Sequence, residues 1–285
     1  MGRTGGERLR LHFLKFSSEA LHVSHPRRYH RAMQEQPGSP SSKAAWDQLA
    51  QDYAASRQVS ADRLIEWPAQ LRLCGDIQGK EILDMGCGSG DKARHFAENG
   101  AASVLGLDPS TGFAEQWARH ADCPGLRLSR GGFEDLPEHP DLRGRQFDLI
   151  VCFQALMYAQ NLAATLLHLA ALLRPQGALV FSVPHPFRFA ILKNEIEGWG
   201  HGLAYQKTEP YRYPSPWNPA IFLEHATPRV SDYLNAIAAA GLRLTACEEP
   251  AVTEGFRALS PEKAAWMDRY VGILIFRTEK TALVV

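Results

Sequence analysis

The sequence has 285 residues, enough for one large domain, and 45% of them are hydrophobic, enough to fill a core. Lysine plus arginine and aspartate plus glutamate number 31 each, so no global field draws the chain toward nucleic acid or anionic lipid. The chain lacks an apolar run of about 18 residues, which argues against a membrane span, and its scattered cysteines, without paired zinc spacing, favour a reducing cytoplasm and no metal site.

The chain begins with a basic segment that we expect to be a flexible N-terminal extension, residues 1–41. A targeting peptide or a basic arm are the alternatives for residues 1–32, and we favour a dispensable extension. The linker "PGSPSS" ends in residues that suit a helix N-cap. We therefore place the ordered domain at residues 42–285.

Helical and strand-like segments follow in alternation. The stretch "KAAWDQLAQDYAASR" has a helical apolar period, and a second helix is predicted over residues 60–73. The apolar runs "EILDMG", "ASVLGLD", "LRLSRGG", "FDLIVCF" and "GALVFSV" then alternate with amphipathic stretches. This alternation predicts an α/β fold with a doubly wound, mostly parallel sheet.

The alternation stops at a long segment rich in proline, glycine and aromatic residues. Because a loop of this length inside a compact domain is usually functional, residues 185–229 are interpreted as a lid insertion. A helix near Val230 to Ala240 comes next. The segments "LRLTACEEP" and "GILIFRT" are then predicted to be the last two strands.

The glycines of Gly86-Cys87-Gly88-Ser89-Gly90 lie between the first strand and a helix, where bare backbone can approach a ligand. A P-loop would end in Gly-Lys-Ser/Thr, and this loop continues with Asp91-Lys92-Ala93. Asp91 would also repel the pyrophosphate of a dinucleotide. A nucleoside ligand without phosphate fits better, and Asp108 after the second strand can accept its ribose hydroxyls.

These residues, with "GGFEDLP" and "FDLIVCFQALMY", resemble the motifs of class I S-adenosylmethionine-dependent methyltransferases from about Trp46 to the last strand. The resemblance implies a Rossmann-like, seven-stranded sheet and S-adenosyl-L-methionine as cofactor. It also implies a cofactor site formed by Tyr53, Gly86, Cys87, Gly88, Asp108, Pro109, Ser110, Phe133, Glu134, Phe153 and Gln154. The family often has an acid where this chain has Gly132, so Glu134 or backbone must substitute toward adenine.

The subgroup resembled most is the small-molecule, methyltransferase type 11-like enzymes, which include quinone and natural-product methyltransferases. It implies methyl transfer to a small, largely apolar or aromatic acceptor, through oxygen, nitrogen or an activated carbon. The acceptor is expected to contact aromatic residues in and near the insertion. These residues are Tyr158, Trp199, Tyr205, Tyr213 and Trp217.

His185 is the predicted general base, because it follows the fifth strand at the ligand edge of the sheet. Two other classes remain as alternatives: a cyclase or binding module that keeps the cofactor without methylating, and a nucleic-acid methyltransferase. The second is disfavoured, since "CFQALMY" replaces an Asn/Asp-Pro-Pro-Tyr-like step. The expected partner is a small molecule, without nucleic acid or membrane, and a homo-oligomer is left open.

Overall fold

The structure is a computed structural model that describes residues 42–56 and 62–281. All of these residues belong to one compact unit, Pro37–Val285. The prediction of a flexible extension over residues 1–41 lies outside the described residues. Among the helices described, none is long and apolar enough to cross a bilayer.

A seven-stranded sheet forms the centre of the fold. Its strands are β1 (Glu81–Met85), β2 (Ser103–Asp108), β3 (Leu126–Arg130), β4 (Phe147–Phe153), β5 (Leu173–Pro184), β8 (Leu242–Glu248) and β9 (Ile273–Lys280). They lie in the order β3-β2-β1-β4-β5-β9-β8. The first five are parallel, and β9 is antiparallel to both β5 and β8. The predicted mostly parallel, seven-stranded sheet is confirmed.

Helices cover both faces of the sheet. They are α1 (Ser42–Ser56), α2 (Trp67–Cys74), α3 (Asp91–Glu98), α4 (Thr111–Ala114), α5 (Leu162–Ala171), α6 (Pro186–Glu197), α7 (His201–Gln206), α8 (Val230–Ala239), α9 (Glu254–Leu259) and α10 (Pro261–Arg269). A π-helical turn, Asp62–Glu66, precedes α2. Within the described residues, the predicted second helix therefore consists of a π-helical turn followed by an α-helix.

The core has two apolar layers, one on each face of the sheet. One layer joins Leu166 of α5 and Tyr233 of α8 to strand residues such as Phe181. The other joins Ala69 of α2 and Phe96 of α3 to the opposite sides of the same strands. Strands buried on both faces need apolar residues throughout, which is why they appear in the sequence as continuous apolar runs.

The insertion between β5 and β8 contains more regular structure than the sequence indicated. It holds α6, α7 and an antiparallel hairpin of β6 (Tyr211–Pro214) and β7 (Phe222–His225). Helix α6 begins with Pro186 directly after His185, whose side chain accepts a hydrogen bond from the backbone N–H of Phe187. Proline in the first helical turn lacks only an N–H that would have no partner there, so it starts this helix.

Candidate functional site

The carboxyl ends of the parallel strands bring the predicted cofactor residues to one edge of the sheet. Gly86 follows β1, Asp108 ends β2, and Gln154 follows β4. The loop "GGFEDLP" follows β3 at the same edge. Parallel strands place these loops side by side, although they are far apart in sequence.

The glycine loop approaches its neighbours too closely for side chains. Gly86 has φ +78°, and a Cβ there would overlap the Cβ of Ala155, which follows β4. The backbone N–H groups of Gly86 and Cys87 donate to the carbonyl oxygen of Leu107, at 2.8 and 3.0 Å. The loop is therefore fixed to β2. The Cys87 thiol is buried and its pKa is raised well above the usual value, so it is a packed thiol.

Asp108 connects the loops after β1 and β2. One carboxylate oxygen accepts from the backbone N–H of Gly88 and the other from that of Ser110, both at 2.9 Å. Burial raises the pKa of Asp108 to about 6, although these two bonds favour the ionised form. A carboxylate has about four acceptor positions. Asp108 can therefore still accept hydroxyl groups from a ligand.

Gln154 has the strained backbone expected at a functional edge. Its φ is +56°, in the left-handed region that non-glycine residues rarely adopt. Its backbone N–H donates to the carbonyl oxygen of Ser182 at 2.9 Å, which holds it in place. The side-chain Nε2 is buried, and within residues 42–56 and 62–281 it has no hydrogen-bond partner. A ligand acceptor atom would satisfy this donor.

The remaining predicted cofactor residues differ in exposure. Phe133 is buried, whereas Glu134 is exposed at the surface. The N–H of Gly132 donates to the carboxylate of Asp135 at 2.7 Å, so Asp135 rather than Glu134 closes this turn. A carboxylate oxygen of Glu134 accepts from the backbone N–H of Gln160 at 3.5 Å, and the role of Glu134 toward an adenine stays a prediction.

Two of these residues have clear neighbours. Pro109 lies beside Gly132, since a Cβ built on that glycine would be 3.5 Å from the Cβ of Pro109. The ring of Phe153 faces the Lys92 ammonium, 5.2 Å from its centroid, and the ring of Trp67. Phe153 thus borders the side of the sheet that α2 and α3 cover.

Helix α1 is attached to the loop that follows Asp108. Asp47 accepts from the backbone N–H of Thr111 at 2.6 Å and caps α4. Burial would raise the pKa of Asp47, but hydrogen bonds from Ser110, Lys43 and Thr111 lower it to about 2. Gly112 is needed here because a Cβ would overlap the backbone carbonyl of Asp47. The attachment places Trp46 and Tyr53 near the sheet edge.

Aromatic side chains from α1, from the loops after β2 and β4, and from the insertion meet in one group, which we call the aromatic cluster. Its members are Trp46, Tyr53, Phe113, Tyr158, Phe189, Tyr211, Tyr213, Trp217 and His225. The ring centroid of Trp46 lies 5.9 Å from that of Phe113 and 6.2 Å from that of Tyr158. Trp217 lies 4.8 Å from Tyr53.

Three of the five predicted acceptor residues, Tyr158, Tyr213 and Trp217, are in this cluster. Trp199 and Tyr205 are not among the rings it joins. The Trp199 ring faces the Lys207 ammonium, 3.9 Å from its centroid, and the Tyr205 hydroxyl accepts from the N–H of Val230 at 3.0 Å. Trp199, which precedes α7, and Tyr205 of α7 therefore contact a neighbour within the insertion and the first residue of α8, respectively. Their roles as acceptor residues stay predictions.

Both ring nitrogens of His185 have partners. Nδ1 accepts from the N–H of Phe187 at 3.1 Å, and Nε2 lies 2.8 Å from a carboxylate oxygen of Glu249. Burial lowers the pKa of His185, against the opposing effect of Glu249. In this arrangement His185 caps α6. Its role as general base stays a prediction, and it would require the cap to open.

Five members of the cluster were not among the predicted site residues: Trp46, Phe113, Phe189, Tyr211 and His225. Phe113 follows Asp108 closely, so its proximity to the glycine loop could have been inferred. The pairing of Tyr211 with His225 across the hairpin could not, because no turn motif in the sequence gives its register.

The chain is similar to known proteins in sequence. A family profile described as a methyltransferase domain matches residues 53–245. An uncharacterised protein of Haemophilus influenzae is 33% identical over 130 residues, covering 45% of this chain and 51% of that protein. A ubiquinone biosynthesis O-methyltransferase of Neisseria meningitidis is 32% identical over 110 residues, covering 38% and 45%. The matches span about half the length of these relatives.

A solved structure with the same fold is an S-adenosylmethionine-dependent methyltransferase from Mesorhizobium loti. It has a TM-score of 0.58 at 23% identity, covering 75% of this chain and 97% of that one. At this identity the likeness concerns the fold. The fold predicted from the sequence resemblance is confirmed.

The residues at the sheet edge fit an S-adenosylmethionine molecule. Asp108 offers acceptors for the ribose hydroxyls. Gly88 leaves room beside the backbone, since a Cβ there would lie 3.8 Å from the nearest atom, in the ring of Phe113. Gln154 has a buried donor without a partner in the described part of the chain. The cofactor would thus meet hydrogen-bond acceptors at Asp108, open space beside the glycine loop and a hydrogen-bond donor at Gln154.

We expect binding of S-adenosylhomocysteine to release a proton near pH 5.5 and none near pH 8. In the free protein Asp108 has a pKa of about 6, and hydroxyl donors favour its ionised form, so binding lowers that pKa. Affinity should therefore fall by up to about ten-fold per pH unit below 6. Calorimetry in buffers of different ionisation enthalpy measures both the number of protons released and the affinity. Affinity that stays constant from pH 5 to 8, without proton release, would remove Asp108 from the site.

Proposed function

The chain belongs to the class I S-adenosylmethionine-dependent methyltransferases, and from this premise we propose that it methylates a small, largely apolar or aromatic acceptor. Its cofactor, S-adenosylmethionine, supplies an electrophilic methyl group on a sulfonium when bound. Residues 42–285 would form the methyltransferase domain. The aromatic cluster supports the proposed class of acceptor. The position of the cluster beside the glycine loop supports the proposed contribution of the chain to catalysis.

The observation that carries the proposal is the continuity of the aromatic cluster with the glycine loop. A Cβ on Gly88 would lie 3.8 Å from the ring of Phe113. Phe113 contacts Trp46, which contacts Tyr158, and Tyr158 contacts His225 of the insertion. The rings thus extend from the expected cofactor loop to the insertion. A planar apolar acceptor bound among them would be held close to the cofactor.

Positioning and exclusion of water would supply most of the rate acceleration in such a site. The aromatic faces favour a nearby positive charge through cation–π attraction, so they suit a sulfonium. Helix α1 covers the site, because its Asp47 is bonded to the loop after β2 and its Trp46 lies in the cluster. Asn218 of the hairpin donates to Asp52 of α1 at 3.1 Å, which joins the cover to the insertion.

We expect the protein to bind S-adenosylhomocysteine and not NAD. Asp91 in the first turn of α3 would repel a pyrophosphate, whereas Asp108 suits ribose hydroxyls. Calorimetry with each ligand measures binding, and release of S-adenosylhomocysteine from S-adenosylmethionine in the presence of phenol and amine fragments measures transfer. NAD binding without S-adenosylhomocysteine binding would contradict the proposal. Cofactor binding without transfer to any fragment would favour a non-methylating role.

Trp217→Ala should reduce methyl transfer by about ten-fold or more while changing cofactor affinity less, because it removes two ring contacts worth about 0.5–1.5 kcal/mol each. Trp217 contacts Trp46 and Tyr53 of α1. Trp199→Ala is the matched comparison, since that indole lies against Lys207, and we expect a smaller loss. Single-turnover rates and S-adenosylhomocysteine titrations give the two quantities. Equal losses of rate and affinity at Trp217 would assign it to the fold.

A further inference from the structure

His225 is a buried histidine with one defined tautomer. It is the last residue of β7 and is 4% exposed. Its Nδ1 lies 2.7 Å from the carbonyl oxygen of Ala226. A carbonyl oxygen can only accept, so Nδ1 must carry the proton and donate it. The neutral ring therefore has its free lone pair on Nε2.

The Nε2 atom is buried without a hydrogen-bond partner among the residues that the structure describes. The centroid of the His225 ring lies 4.9 Å from that of Phe189, 5.6 Å from that of Tyr213 and 5.7 Å from that of Tyr158. A buried acceptor without a partner costs about 1–3 kcal/mol, so native proteins rarely keep one without a use. The position is inside the aromatic cluster, where the proposed acceptor would bind.

Nearby groups keep His225 neutral. The titratable side chains that face His225 are Tyr158 after β4, Tyr211 and Tyr213 on β6, and Arg188 and Lys193 on α6. Tyr211 is the cross-strand partner of His225. Burial lowers the pKa of His225 to about 4, although the hydrogen bond to Ala226 raises it. The positive charges of Arg188 and Lys193 lower the pKa further. Burial also raises the pKa of Tyr213 to about 12 and that of Tyr158 well above its usual value. At neutral pH, His225 is an acceptor and both tyrosines are donors.

We propose that Nε2 of His225 accepts the proton of a phenolic acceptor that binds among Phe189, Tyr158 and Tyr213. This inference rests on the proposed function and makes it more specific, because it selects an O–H acceptor from the classes left open. The flat rings favour a flat substrate. The Nε2 lone pair, which has no hydrogen-bond donor among the described residues, favours a substrate with a single hydroxyl group directed at it. The rings of Tyr158 and Tyr213 must turn to admit it.

The proton and electron balance of the step is complete. The phenol O–H bond breaks as an N–H bond forms at Nε2, and the oxygen electron pair forms the O–CH₃ bond while the S–CH₃ pair remains on sulfur. The positive charge of the sulfonium is lost as that of the imidazolium forms, so the number of charges in the site stays constant. Burial therefore opposes protonation of His225 less during the reaction than in the free protein. The low pKa then favours release of the proton after the product leaves.

The first test concerns the tautomer and needs no acceptor. The full chain, labelled with ¹⁵N-histidine and saturated with S-adenosylhomocysteine, is studied by long-range ¹H–¹⁵N NMR at pH 7, and His225→Gln assigns the signal. The expected result is a proton on Nδ1 and none on Nε2. A proton on Nε2 would overturn the proposal while leaving cofactor binding, and hence the proposed function, intact.

The second test uses phenol and its methyl ether, anisole, titrated into the same complex. The ether lacks the hydroxyl donor, so the wild type should bind the phenol about ten-fold or more tightly than the ether. His225→Phe keeps a ring and removes the lone pair, so this preference should disappear. His168→Phe on α5, outside the cluster, is the matched control and should retain it.

Each outcome of the binding test decides the proposal. Loss of the preference in His225→Phe and His225→Leu, both of which lack a side-chain acceptor, with unchanged S-adenosylhomocysteine affinity, supports it, and His225→Leu covers the case in which the phenylalanine variant does not fold. A preference that persists in either folded variant overturns it. Equal or absent binding of the two probes by the wild type also overturns it, because the proposed site must distinguish them. If the wild type does not bind S-adenosylhomocysteine, the proposed function itself is refuted.

Discussion

The buried carboxylate of Asp108 is the interaction on which the site depends. Its two oxygens accept from the backbone N–H groups of Gly88 and Ser110, so one side chain fixes the loops after two neighbouring strands. Burial of a carboxylate is unfavourable, and it raises the pKa of Asp108 to about 6. The site therefore has an acid that is held in place by the fold and is stabilised further by a ligand that brings hydroxyl donors.

Helix α1 extends this arrangement from the cofactor side to the acceptor side. Asp47 bonds to Thr111 just after Asp108, and on the same helix Trp46 and Asp52 reach Trp217 and Asn218 of the hairpin. In the proposed function, helix α1 therefore belongs both to the cover over the cofactor and to the wall of the acceptor site. Movement of α1 would open both parts together. The proposed reaction needs both parts to close together as well, because water must be excluded while both substrates are bound.

The sequence was sufficient to predict the sheet, the glycine loop and Asp108. The apolar runs identified the strands because central parallel strands are buried on both faces. The edge positions followed because parallel strands end together. Within the insertion and near the C-terminus, helix starts were missed although their signals were present: Pro186 follows a capping His185, and Pro261 follows Ser260.

The acceptor side was predictable only in part, for a physical reason. Aromatic residues are identifiable by composition, but which rings meet depends on hairpin register and on how α1 docks, and neither has a local signal. His185 and His225 illustrate this. Both lie in or beside the insertion, yet the structure pairs both nitrogens of the first and leaves Nε2 of the second without a hydrogen-bond partner in the described chain. Only the three-dimensional contacts distinguish them.

The central claim is that the glycine loop, Asp108 and the aromatic cluster form one site for cofactor and acceptor. A crystal structure of the S-adenosylhomocysteine complex tests it most directly. The account predicts the ribose hydroxyls on Asp108 and the sulfur atom directed toward Tyr158 and His225. A sulfur atom directed away from the aromatic cluster, or a ribose bound to other groups, would contradict it.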